Sequence, residues 1–305
     1  MERKVIVIVG PTCSGKTDLS LLLAEKLHSE IISADSRQVY KYLNIGTAKP
    51  SPEELKKVKH HFIDELEPDE KFDVSIFENR SIQIINSLHK KNKVPIVVGG
   101  SGLYIKALID GITETIITSD ELRNSLKEER ERFGNEYLYD KLKKIDPKSA
   151  DSMLPQNWKR VIRAIEVFEL TGRPIWEHHQ NYDRDIDVEF VQFGLKPDRE
   201  VLYKNIDNRV DEMINLGLVN EVDEVLKMDY DKNVNALNTV GYKEIIAHLE
   251  GEYSLERAIE LIKRNTRRYA KRQLTWFNAD KRIHWLSLES KKDLFILAEN
   301  ILKSI

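Results

Sequence analysis

Residues 4–17 read KVIVIVGPTCSGKT, and the fold class turns on this stretch. Val5 to Val9 are five successive β-branched apolar residues. Such a run has no polar alternate positions, so it predicts a strand covered on both faces. Residues 10–17 then match G-x-x-x-x-G-K-[ST], in the strand–turn–helix context that a P-loop requires. A chance glycine turn is the competing reading, and that context weighs against it. The glycines let successive backbone amides point at one anion, and a helix N-terminus adds positive potential. The implied cradle is Gly10, Pro11, Thr12, Cys13, Ser14, Gly15, Lys16 and Thr17. Lys16 would neutralise phosphate charge, and the Thr17 hydroxyl is placed to ligate Mg²⁺. The motif predicts a diphosphate-bearing small molecule without saying which one.

Outward from the loop, Thr17 to Leu27 is a helical run with Leu19, Leu22, Leu23 and Leu27 on one stripe. Glu30 to Ala34 predicts a second strand, ending in Asp35. Val94 to Val98 predicts another, closed by Gly99-Gly100 and followed by a helix from Ser101 to Leu108. Strand, turn, helix, strand implies an α/β class: a P-loop NTPase-like parallel sheet core. HHFIDEL at 60–66 reads as a strand with the turn that leads into it. The His60-His61 pair has no further spaced ligands, so no metal is assigned to it.

Past Ile112 the buried runs vanish. Charged helical segments, Asp120 to Phe133 and Trp158 to Thr171, take over until a strand-like run at Val188 to Leu195. This predicts a helical insertion domain: residues 1–112 form the first part of the core, 113–187 the insertion and 188–305 the second part. Helical runs follow at 199–216, 219–227, 242–249 and 255–277, then a last strand near 282–286 and a closing helix.

The chain has 305 residues and 41% hydrophobic content, ample for a buried core. Its formal net charge is only −3, so partners must be read from local charge. Cys13 is the single cysteine, which excludes an internal disulfide and any zinc site needing two thiolates. No stretch approaches the ~18 apolar residues of a membrane span. The N-terminal run breaks into a glycine turn after five residues, unlike a signal peptide. The expectation is a soluble, cytoplasmic protein with no membrane association.

An ordinary P-loop NTPase ends a second apolar strand in a carboxylate that helps hold Mg²⁺. Here the strand at 94–98 ends in glycines and Ser101, and the carboxylate falls instead at Asp35. Ligands of open α/β sheets sit at the carboxyl ends of strands, so Asp35 should face the P-loop. It can serve there as a general base, or merely cap the next turn. Ser101 has the same two readings, a hydrogen bond to the reacting region or an N-cap.

Seven segments together resemble the tRNA dimethylallyltransferase (tRNA isopentenyltransferase) family. They are GPTCSGKT at 10–17, ISADSRQVY at 32–40, IGTAKP at 45–50, VVGGSGLYIKAL at 97–108, NWKRVIRAIEVFELTGRP at 157–174, NTVGYKE at 238–244 and RYAKRQLTWF at 268–277. The resemblance implies that the P-loop holds dimethylallyl diphosphate. It implies an acceptor adenosine just 3′ of the tRNA anticodon, with the insertion clasping the anticodon stem. Asp35, Ser101, Lys16 and Arg209 are then the expected catalytic set, Mg²⁺ the cofactor and a monomer the working form. The expected tRNA-facing residues are Asp35, Ser36, Arg37, Gln38, Ser101 and Arg123; Lys159, Arg160, Val161, Ile162 and Arg163; Asn238, Thr239, Val240, Gly241, Tyr242 and Lys243; and Arg267, Arg268 and Arg272. Two departures stand out. Ser101 replaces the family's frequent threonine, and Asn205 stands where the first of two arginines four apart is often found, leaving Arg209 alone.

On this reading an adenine amine attacks an allylic carbon while Asp35 takes its proton and the P-loop holds the departing diphosphate. The base must leave its stack, and a positive surface must hold the RNA backbone. The segment 263–277 supplies Lys263, Arg264, Arg267, Arg268, Lys271 and Arg272, with Tyr269, Trp276 and Phe277 in or beside it. Six cations on one helix point several ways, so some must be merely solvated. The rivals are a small-molecule kinase, a nucleotide-dependent RNA-binding switch, and an isopentenyltransferase acting on free AMP.

Overall fold

The computed structural model describes residues 3–111, 118–180, 186–288 and 293–305. Among them, no helix is long and apolar enough to cross a membrane. The chain divides into two compact units, Met1–Ile109 with Ile186–Ile305, and Asp110–Asp185.

The first unit is built on a six-stranded sheet: β1 (Lys4–Val9), β2 (Ile31–Ser33), β3 (His60–His61), β4 (Ile96–Gly99), β5 (Glu189–Leu195) and β6 (His284–Leu286). The order is β3-β2-β4-β1-β5-β6, and every pairing is parallel. β1 lies in the interior between β4 and β5, in register Val7↔Val97 and Val7↔Gln192. Its alternation decides the layers. Val5, Val7 and Val9 enter one core and Ile6 and Ile8 the other. The isoleucine side is covered by α1 (Lys16–Lys26) through Leu19 and Leu23, and by α14 (Asp293–Ser304) through Leu297 and Ile301. The valine side is covered by α3 (Val74–Lys90), α4 (Gly102–Asp110), α11 (Leu218–Leu226), α12 (Tyr242–Leu249) and α13 (Leu255–Asn278).

Two helices of this unit are absent from the sequence reading. α2 (Pro52–Lys57) is a short turn fixed by a Ser51/Glu54 capping box. α3 is capped by Asp73, whose side chain accepts the amides of Ser75 and Ile76. It buries Phe77, Ser81, Ile85 and Leu88 at helical spacing. β3 is shorter than HHFIDEL suggests, and the turn follows it: Phe62 and Asp64 both take positive φ.

The second unit is helical throughout its described residues: α5 (Asp120–Phe133), α6 (Asn135–Ile145), α7 (Pro147–Asp151), α8 (Trp158–Thr171) and α9 (Ile175–Gln180). It has its own core, with Leu126, Leu138, Leu142, Val161 and Ile165 fully buried. Beneath it lies Glu166, also fully buried, whose carboxylate is met by Arg123 at 2.8 Å and Arg163 at 2.7 Å. A buried carboxylate is tolerable only with such partners.

Candidate active site

The P-loop leaves the carboxyl end of β1 at Gly10, whose φ is 144°. A Cβ there would lie 2.6 Å from the Leu195 carbonyl oxygen at the end of β5, so only glycine fits. Gly15, at φ 89°, caps the N-terminus of α1. The Lys16 Nζ turns back to donate to the Pro11 carbonyl. Burial pulls the Lys16 ammonium down to about 8; Arg209 adds to the shift, and Cys13 and Asp35 oppose it. Lys16, Arg209, Asp35 and Cys13 therefore share one electrostatic neighbourhood. Ser14 is 3% exposed and its Oγ has no hydrogen-bond partner among the described residues. A desolvated ammonium beside an orphan hydroxyl and a helix N-terminus is matched to an anion.

Asp35 follows Ala34 at the carboxyl end of β2. Its Oδ1 accepts the amides of Arg37 at 2.8 Å and Gln38 at 3.3 Å, so it does cap the next turn. The bonds described fall on Oδ1 alone. Ser101 closes this region from β4: its amide donates to the Ala34 carbonyl, and its Oγ accepts the Ser36 amide, both at 3.2 Å. Ser101 thus braces the Asp35 loop. The Gln38 side chain is spent internally, donating to the Thr47 and Ala48 carbonyls and accepting from Ser33. Arg37 donates to Asn235 and to the Ser36 carbonyl.

Three contributors went unassigned in the sequence. Gln273, 6% exposed on α13, accepts the Thr12 amide at 2.8 Å and donates to the Gly100 carbonyl at 3.0 Å. The available signal was a polar residue on the apolar stripe Ile262–Ala270–Phe277. Tyr269, one turn earlier, is pushed up to about 12 by burial and by Asp35. Glu221 on α11 accepts three consecutive amides, Asn44, Ile45 and Gly46, together with the Tyr242 hydroxyl. Asn205, in α10 (Arg199–Asn215), donates to the Cys13 carbonyl at 3.4 Å. It therefore touches the P-loop where an arginine is often found, and Arg209 lies one turn further along.

The candidate RNA-facing residues divide sharply. On α13, Lys263 pairs with Asp211 at 2.6 Å, and Arg267 pairs with Asp207. Arg264, Arg268, Lys271 and Arg272 are exposed, as is Trp276 near the helix end. In the second unit Lys159 and Arg160 are exposed, while Arg123 and Arg163 hold Glu166. Four expected residues do not face solvent. Val161 and Ile162 belong to the second unit's core, and Gly241 and Tyr242 are buried in the first. Their apolar or ring surfaces are consumed by packing, so any effect they have on RNA is indirect. Asn238 and Lys243 are exposed; Thr239 and Val240 are partly so.

The IPP transferase family model matches residues 38–280. The chain is 51% identical to a tRNA dimethylallyltransferase of Alkaliphilus oremlandii, over 99% of this chain and 97% of that one. It is 47% identical to one from Acetivibrio thermocellus, over 99% and 96%. A solved tRNA isopentenylpyrophosphate transferase from Bacillus halodurans aligns with a TM-score of 0.72 at 38% identity, covering 99% of this chain and 96% of its own. A eukaryotic dimethylallyltransferase solved in the course of acting on tRNA aligns at 0.84 and 28% identity, covering 99% and 78%. With a family model spanning most of its length and relatives near half identity end to end, the chain belongs to the IPP transferase family.

Proposed function

We propose that this chain transfers the dimethylallyl group of dimethylallyl diphosphate to the exocyclic N6 amine of the adenosine 3′-adjacent to the anticodon in tRNA. The products are N6-isopentenyladenosine and diphosphate. One observation carries the reading: a desolvated Lys16 and an orphan Ser14 hydroxyl share a neighbourhood with the Asp35 carboxylate. The first two suit a diphosphate, and the third suits proton removal from the attacking amine.

The N6–carbon bond forms as the allylic carbon–oxygen bond breaks, and the amine proton passes to Asp35. The P-loop amides, Lys16 and Arg209 take up the charge that develops on the leaving diphosphate. Ser101 keeps the Asp35 loop in place. Among the described residues no cluster of three His, Cys, Asp or Glu side chains could hold a metal. Thr17, exposed in the first turn of α1, would hold Mg²⁺ through its hydroxyl together with diphosphate oxygens and water, an all-oxygen set suited to that ion. That ion would supply further positive charge to the leaving group. The tRNA lies along Arg264, Arg268 and Arg272 of α13, and the helical unit clasps the anticodon stem through Lys159 and Arg160. The working form is a cytoplasmic monomer.

The test is to incubate the protein with dimethylallyl diphosphate, Mg²⁺ and unmodified tRNA, then weigh the nucleosides by mass spectrometry. Isopentenyladenosine without ATP consumption is expected. ATP turnover with unmodified tRNA would instead support the kinase or switch readings, and modification of free AMP alone would remove tRNA as the acceptor.

A further inference from the structure

Gln273 joins three parts of the site that are remote in sequence. Its Oε1 accepts the Thr12 amide and its Nε2 donates to the Gly100 carbonyl. The Thr12 amide belongs to the same peptide plane as the Pro11 carbonyl, and no peptide bond described is cis. In a trans peptide the N–H and C=O point in opposite directions. Holding the Thr12 N–H toward Gln273 therefore aims the Pro11 oxygen the other way, where it accepts from the Lys16 ammonium. On the other side, the Gly100 carbonyl leads into Ser101, whose hydroxyl holds the Ser36 amide next to Asp35. The fit is tight: a Cβ on Gly100 would come 2.1 Å from the Gln273 Nε2.

We propose that Gln273 is a positioning residue for the transfer reaction, whose buried amide fixes the Pro11–Thr12 peptide that aims Lys16 and ties it to the turn bracing Asp35. The role needs one acceptor and one donor on a single side chain of this length. Glutamine supplies both, and so does a glutamic acid while it is protonated; a glutamate anion supplies acceptors only. Against the Gly100 carbonyl, that anion is repelled.

The inference rests on the proposed function for its reaction but can be tested by binding alone. Affinity for inorganic pyrophosphate and for dimethylallyl diphosphate, both with Mg²⁺, is measured by calorimetry between about pH 6 and pH 9, spanning the window in which a buried carboxyl titrates. The full chain is compared with Gln273→Glu and Gln273→Met, alongside tRNA affinity and single-turnover rate. Tyr269, pushed up to about 12, stays neutral across this range, and Lys16, pulled down to about 8, titrates within it in the unsubstituted protein. Gln273→Met adds no titrating group, so the ratio of the glutamate to the methionine variant isolates the carboxyl at 273. Gln273→Met should bind both ligands on the order of tenfold to a hundredfold more weakly, through loss of two buried hydrogen bonds, with tRNA affinity unchanged. Gln273→Glu should match it at alkaline pH and recover as pH falls. A methionine variant that binds like the original overturns the proposal, and it decides the matter alone if the glutamate variant fails to fold. A glutamate variant whose ratio is flat with pH also overturns it, since protonation restores the donor to the Gly100 carbonyl. If the unsubstituted protein makes no isopentenyladenosine, the proposed function fails while the pyrophosphate arm still judges Gln273.

Discussion

Asp35 has two duties in one carboxylate, and a substitution can separate them. Asparagine keeps an Oδ1 for the amides of Arg37 and Gln38 but cannot accept a proton at neutral pH. Asp35→Asn should cut the single-turnover rate by about 10²–10⁴-fold while donor affinity and melting temperature hold. Asp35→Ala should lose the rate and some loop order as well. A wild-type rate for the asparagine variant would remove Asp35 as the base. Lys16 carries a pH signature. Its folded pKa is lowered from 10.5 to about 8, so the folded protein gives up this proton at lower pH than the unfolded chain does. Stability contributed at this site thus increases with pH across that window, while diphosphate affinity, which needs the charge, declines as pH rises through 8. Calorimetric titration should show that alkaline loss, and Lys16→Met, already weak, should lack it. The places of the P-loop glycines, Lys16 and Asp35 at the ends of β1 and β2 were readable from sequence because local motif and strand position fix them. Gln273 was not, because its partners Thr12 and Gly100 become neighbours only when the long helix packs across the ends of β1 and β4.

At the scale of elements, α13 has two chemically distinct faces. Ion pairing holds Lys263 and Arg267 against α10, whereas Arg264, Arg268 and Arg272 stand in solvent at four-residue spacing. Replacing those three exposed arginines with glutamine should weaken tRNA binding and reduce the salt slope by ~0.7 per lost phosphate contact in log–log terms. Affinity for dimethylallyl diphosphate should not change. An unaltered slope would make this face a solvated surface and shift the RNA contacts to Lys159 and Arg160. Arg267→Gln alone should instead cost only ~1 kcal/mol of stability or less, as half-exposed pairs do, and barely alter the slope. The sequence displayed six cations without saying which four stand exposed, since the Asp207 and Asp211 that claim the other two lie on another helix. Conversely, α3 bears its signals locally, an Asp73 cap and apolar residues at helical spacing.

On the scale of the whole molecule, the two units have separate hydrophobic cores. Glu221 is the polar keystone of the first: one carboxylate satisfies three successive backbone amides of the 44–46 loop and the hydroxyl of the fully buried Tyr242. Successive amides turned inward form an anion nest, here occupied by the protein itself. Glu221→Ala should orphan those donors and destabilise the first unit by on the order of 3 kcal/mol. Hydrogen exchange should show faster opening of α11 and α12, with protection in α6 and α8 unchanged; equal loosening of both units would mean that they unfold as one. The parallel α/β class was legible in the strand runs, but the order β3-β2-β4-β1-β5-β6 was not, because side-chain alternation carries no information about which strand lies beside which.

That order has a consequence for how the protein is made. β1 emerges from the ribosome ahead of the other strands, yet the strand on one of its sides, β5, begins at Glu189. At ordinary synthesis rates the nascent Val5–Val9 edge waits on the order of ten seconds or more for that partner. The second unit, whose helices contact near neighbours in sequence, is translated during this interval. Its charged residues accompany an exposed apolar strand through the period when that strand is most prone to pair with another copy of itself.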